Sequence, residues 1–251
     1  MTNTSISKKN VFLRLAAFVT ASVMLFSAAA CSKEAGNDTS SEDTVTEVNI
    51  DELEEDMKDF LITFTDWYYV EYGKKAVYDS KKAGDGSTNV LRSIIGNGSC
   101  VDWSKYPVSK PEEYFNAKKL DPKKWAKESG GAYMIFDAKD ADWIAVNIFN
   151  ATESDIEAMV KQGEKNKWFY LQDGKYYVVI GGVGDPMTEY TFESAQTDGT
   201  VYTVNYSSSF NNGEETTPNG SYTAEVQKKT VDGAEYWTLN QFVQTAIADE
   251  E

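Results

Sequence analysis

The chain has 251 residues, with 24 basic and 40 acidic side chains, a formal net charge of −16 and no histidine. A balance this acidic lacks the basic footprint that displaces counterions from a phosphate backbone, so no nucleic-acid partner is expected. Without histidine there is no Ser-His-Asp or Cys-His nucleophile system, no HExxH metalloprotease site and no histidine-bound zinc.

The first 30 residues read as an export signal. Lys8 and Lys9 form a positive start, Arg14 follows, and Leu15 to Ala30 is an uncharged apolar run of 16 residues. As a helix that run spans about 24 Å, short of a ~30 Å hydrocarbon core. Two cleavage chemistries fit it. Ala28-Ala29-Ala30 satisfies the small-x-small rule of ordinary signal peptidase. The same alanines followed by Cys31 resemble the lipobox of bacterial lipoproteins, in which small residues precede a cysteine that becomes the diacylated N-terminus. That resemblance covers the signal region. It implies lipidation at Cys31 and anchorage on the extracytoplasmic face of a cell membrane.

Residues 31–48 then read as the lipidated cysteine and a flexible acidic tether, rich in Ser, Thr, Asp and Glu and too poor in apolar surface to order. Residues 1–31 hold three bases (Lys8, Lys9 and Arg14) and no acid, so their removal takes the net charge from −16 to −19. The bland consequence of that charge is solubility and repulsion from anionic surfaces. With Cys31 lipidated, Cys100 has no intrachain partner, and the chain is not a disulfide-stapled scaffold. Cys100 reads as a small buried residue rather than a reactive thiol, since no histidine can activate it.

Residues 49–245 read as one domain, followed by a frayed acidic tail at 246–251. A helix is expected over about 50–72, where Leu53, Met57, Phe60, Leu61, Phe64 and Tyr68 share one face, Asn49 and Glu52 resemble a capping box and Gly73 is the stop. Short helices are expected at 74–80 and 88–95, with further helix starts at Pro111 and at Asp121-Pro122. "AYMIFD" and "DWIAVNIFN" flank "AKDA" as a hairpin. A helix capped by Thr152 follows over 152–162, with Ile156, Met159 and Val160 on its inner face. Asp173-Gly174, Asp198-Gly199 and Asp232-Gly233 each join two alternating runs, which predicts an antiparallel meander. In one of those runs Tyr202, Val204, Tyr206 and Phe210 fall on a single face.

The order therefore gives an α+β fold, with an N-terminal amphipathic helix and short helices packed on an antiparallel β-meander. In element order it resembles the ketosteroid-isomerase-like cone fold over much of residues 50–243, which implies a curved sheet. That fold hosts enzymes and inert binding domains alike, so the resemblance specifies no activity.

Candidate sites are few. Asp137, Asp140 and Asp142 in "DAKDADW" could hold Ca²⁺, although the spacing departs from the calcium-loop pattern and acidic turn chemistry is the simpler reading. "IGGVGDP" at 180–186 matches neither nucleotide-loop pattern and reads as a strand connection. Aromatics make up 13% of the chain, with 15 Tyr and 6 Trp, and aromatics on a sheet surface can stack on sugar rings. Trp67, Trp143, Trp168, Tyr176, Tyr177 and Trp237 are the ligand-binding candidates, drawn from a pool that also holds Trp103 and Trp125. Packing in strands and core is the commoner fate of such residues. Catalysis would have to rest on carboxylates, as in glycoside hydrolysis, and Asp66, Asp142, Glu193, Glu225 and Glu235 lie within or beside apolar segments.

The resulting expectation is a lipid-anchored extracytoplasmic protein with a non-catalytic binding or envelope-associated role. A carboxylate-dependent glycan hydrolase and a structural or assembly component of a membrane complex are the alternatives. The expected partners are the membrane, through the N-terminal lipid, and a glycan or envelope protein; no cofactor is called for.

Overall fold

The computed structural model describes residues 45–68, 75–81, 87–96, 100–114, 133–179, 188–211, 213 and 215–247. The export signal, Cys31, the tether up to residue 44, Gly73, the Asp121-Pro122 helix start, Trp125, the glycine-rich loop at 180–186 and the end of the tail at 248–251 lie outside them.

The chain begins with a short strand, β1 (Thr46–Val48), so the last three residues of the expected tether are ordered against the body. A 3₁₀ turn at Ile50–Glu52 follows, capped by the Asn49 side chain, which accepts from the Asp51 N–H. Helix α1 starts only at Glu55 and runs to Trp67 (Glu55–Trp67). Met57, Phe60, Leu61 and Phe64 recur along it at spacings of three and four and are buried, the stripe of an amphipathic helix. Glu55 and Asp56 sit at its positive end.

Residues 74–80, read as a helix, contain strand β2 (Val77–Asp79). Ala76 and Tyr78 are buried and Val77 is exposed, an alternation of period two that suits a strand. Helix α2 (Ser87–Gly96) lies where it is expected. A second 3₁₀ turn, Trp103–Lys105, is capped by Asp102. Pro111 does not start a helix but precedes the edge strand β3 (Glu112–Tyr114), a position that spares its missing donor.

The hairpin expected around "AKDA" is a strand followed by a helix: β4 (Tyr133–Asp137), then α3 (Ala138–Asn147). Ala138, Ala141, Ile144 and Ala145 are buried at helical spacing. Three alanines let α3 pack closely, and the Ile and Val content that favours a strand loses to that periodicity. Helix α4 (Glu153–Lys165) carries a full capping box, with Thr152 and Asp155 bonding each other's backbone N–H.

Strands β5 (Phe169–Gln172), β6 (Lys175–Val179), β7 (Thr188–Thr197), β8 (Val201–Asn211), β9 (Thr216–Val231) and β10 (Ala234–Ile247) complete the chain. Part of the expected frayed tail is thus paired, Ala246 opposite Ser221. Two antiparallel sheets result, one ordered β1-β7-β8-β9-β10-β2 and the other β3-β4-β6-β5. The architecture is α+β, as the element order indicates.

In the larger sheet, Glu193, Asn240 and Thr245 are extra residues at register shifts, as is Asn219 opposite the Ser208–Ser209 step. Such bulges bend and twist their strands. Val204 and Tyr206 face inward as expected, but Phe210, beyond the Asn219 shift, is 44% exposed. On the inner face rings meet in succession: Phe192–Tyr206 at 5.4 Å, Tyr206–Tyr222 at 5.3 Å, Tyr222–Phe242 at 5.5 Å and Phe242–Phe64 of α1 at 5.2 Å. Phe149, just past α3, continues the row at 5.3 Å from Phe64. Helix α1 is clamped between the large sheet and the end of α3 by this row. Helix α2 packs on α3 and α4, and α4 packs on β5.

Candidate functional site

The β2 strand, helix α2 and the connection between α3 and α4 enclose a pocket of about 260 Å³. Tyr78, Val90, Phe149 and Ala151 form its apolar wall, and Ser80, Lys81, Asn150, Thr152, Ser154 and Asp155 supply its polar groups. Tyr78 and Phe149 are buried, and the Tyr78 hydroxyl donates to the Phe149 carbonyl. Burial pushes the Tyr78 phenol far above its ordinary range, with the charges of Tyr68, Asp155 and Asp79 adding to the effect. It is a neutral hydrogen-bonding group at physiological pH.

The pocket's frame is held by its own hydrogen bonds. Asn150 sits at φ 50°, a conformation that asparagine tolerates better than most residues. Its amide donates to the Leu239 carbonyl at 3.2 Å and its Oδ1 accepts from Lys229 at 3.3 Å. Ser80 N–H donates to the Asn240 carbonyl at 2.9 Å, fixing β2 against β10. Asp155 Oδ2 accepts from the Thr152 N–H at 2.9 Å and from its hydroxyl at 2.6 Å. The Thr152 and Ser154 hydroxyls lie 2.9 Å apart. A site preorganised in this way needs little rearrangement to hold a ligand.

The aromatics singled out for stacking differ in burial and in what they pack against. Tyr176 is 1% and Trp237 7% exposed, which makes them packing residues. The Trp237 ring meets the Tyr202 edge at 5.6 Å, and the Lys228 ammonium lies 5.2 Å from it. Trp143 joins Tyr106 and Tyr236 in a half-buried cluster, 6.3 and 5.8 Å away. Trp168 lies 3.5 Å beneath the Arg92 guanidinium. Tyr177 stacks on Tyr170 at 4.9 Å, and Trp67 packs against the core at the end of α1. Each ring is engaged by a different neighbour.

The three aspartates also separate in their duties. They belong to the end of β4 and the first turns of α3 rather than to a hairpin turn. Asp137 lies 3.7 Å from Lys175, Asp140 accepts from the Ser109 N–H at 3.0 Å, and Asp142 accepts from the Tyr176 hydroxyl at 2.7 Å. Among the described residues no group of acids or cysteines has the arrangement to hold a metal ion.

Of the carboxylates nominated for catalysis, Asp66 and Asp142 are both half-buried. Desolvation raises each above the usual carboxylate range, against the opposing hydrogen bond from a tyrosine. Asp66 accepts from Tyr190 of the large sheet at 2.5 Å, and Asp142 from Tyr176 of the small one. Glu193 and Glu235 are exposed and Glu225 is half-buried. Cys100 is 1% exposed, and burial alone pushes its thiol well above its ordinary range.

The helix expected over 74–80 conceals the alternation that turns Tyr78 inward on β2, and with it the pocket's inner wall. Asn150, which ends the segment expected as a strand, adopts the left-handed conformation between two helices, one that asparagine reaches more readily than most residues. The chain matches no protein-family model, no curated protein and no solved structure.

Proposed function

We propose that this is a lipid-anchored extracytoplasmic protein whose folded part has a non-catalytic binding role, with the pocket between β2, α2 and α4 as its binding site. The observation that carries the binding role is the pocket itself. Its volume of about 260 Å³ lies near the lower limit for small-molecule sites, and apolar and hydrogen-bonding groups share its wall. The hydrolase alternative would draw on Asp66 and Asp142, but each is engaged by a tyrosine on a different sheet. Anchorage rests on the lipobox-like Ala28-Ala29-Ala30-Cys31, and the cone-fold resemblance rests on element order.

The test of the binding role is a thermal-shift screen of the full-length chain against small sugars, carboxylates, amines and amino acids, with Ser154→Trp as a pocket-filling control. A shift that the tryptophan abolishes supports the site. A shift that survives it places binding elsewhere. Anchorage is tested separately: Cys31→Ser should release the protein from the membrane fraction and remove the acyl mass from its N-terminus.

A further inference from the structure

Two side chains of opposite charge line the same small pocket without pairing. Lys81 is exposed and its ammonium has no partner among the described residues. Asp155 engages Thr152 through Oδ2, which leaves Oδ1 without a partner among them. Ser80 and Ser154 belong to the same lining, as do the apolar residues Val90, Phe149 and Ala151.

We propose that the pocket binds a small zwitterion with an apolar body, the class represented by free aliphatic α-amino acids. Lys81 pairs with its carboxylate, Asp155 with its ammonium, and Val90, Phe149 and Ala151 receive the side chain. A neutral polyol of the same size hydrogen-bonds to both groups but brings a counter-charge to neither. A simple anion would satisfy Lys81 but meet Asp155, and a simple cation the reverse. Only a ligand carrying both charges returns a partner to each. The inference rests on the pocket being the binding site.

The experiment is calorimetric titration of the full-length chain with L-valine, isovalerate, isobutylamine and glucose. Isovalerate lacks the ammonium of valine, and isobutylamine lacks its carboxylate. L-Valine should bind at least about tenfold more tightly than either half-ligand, a difference of about 1.4 kcal/mol. Lys81→Gln should reduce valine affinity to that of isobutylamine, and Asp155→Asn to that of isovalerate. Asparagine at 155 keeps an acceptor for the Thr152 N–H, and Lys81 is an exposed side chain, so neither change removes a packing contact. Valine binding no tighter than the half-ligands, or indifferent to Lys81→Gln, overturns the inference. If glucose binds instead and Ser154→Trp blocks it, the pocket stands and its zwitterion specificity falls. If no probe binds, both fall.

Discussion

Gly163 lies within α4 where the helix meets the Phe169 ring of β5. A Cβ built there would overlap the ring, and Phe169 is 1% exposed with Tyr176 packed edge-on against it at 5.6 Å. Alanine normally strengthens a helix by about 1 kcal/mol over glycine. Here the overlap should outweigh that gain, and Gly163→Ala should destabilise the protein by about 1–3 kcal/mol in urea unfolding. Cys100 gives a second test at this scale. Buried and held as a neutral thiol, it should resist iodoacetamide at pH 8 in the native protein and react once urea unfolds the chain, because the thiolate is the nucleophile.

At the scale of elements, the Asp-Gly pairs do not all do the same work. Asp173 and Gly174 have φ 50° and 71°, Asp232 and Gly233 52° and 85°, so both pairs form the left-handed two-residue turns that suit a twisted hairpin. Gly233→Ala should cost about 1–2 kcal/mol, the usual penalty for a Cβ in that region, measured as a lower midpoint of unfolding. At the third pair only Gly199 has a positive φ, of 94°. There Asp198 accepts from the Thr200 and Val201 N–H groups, both at 2.8 Å, and these bonds hold its carboxyl below the usual range.

The three Asp-Gly hairpins were therefore legible in the sequence because their turns carry their own chemistry, although the first belongs to the smaller sheet and the other two to the larger. The α4 helix was legible for the same reason, since Thr152 announces it. What misled was β-branched content read without its spacing. "DWIAVNIFN" contains valine and two isoleucines, yet Ala138, Ala141 and Ala145 set a helical period that prevailed. "KAVYD" has only three paired residues, too short for its alternation to stand out. The individual aromatics could not be sorted into buried and open from sequence alone. That depends on the tertiary rows they join, such as the one from Phe192 to Phe149.

For the whole molecule, acid titration should show two opposed trends. Asp66 and Asp142 have raised values in the folded state. As pH rises past the ordinary aspartate range, the unfolded chain releases these protons first, so their contribution to stability falls until the folded carboxyls have also ionised. Asp102 and Asp198 are held low and work in the opposite sense: their contribution is present above the ordinary range and is lost as pH falls. The double variant Asp66→Asn, Asp142→Asn keeps acceptors for Tyr190 and Tyr176. Relative to wild type it should gain stability as pH rises above about 4 and keep that gain at neutral pH, read from urea midpoints across the range. A difference that grows toward acid would reverse the sign.

The outermost strands of the six-stranded sheet also separate two jobs. The chain comes onto the fold at β1 on one edge, and the pocket adjoins β2 on the other. Five strand spacings, roughly 24 Å at ~4.8 Å each, separate β1 from β2 along the sheet. The β1 strand also has a mechanical meaning. It runs antiparallel to β7 with Thr46 opposite Thr197 and Val48 opposite Ala195. A pull along the strand axis loads all three residue pairs at once, in shear, as a lap joint carries tension. Pulled sideways, the same joint would open one pair at a time from Thr46. In the anchored state proposed above, a pull along that axis must slide β1 off β7 before it reaches the 3₁₀ turn and α1.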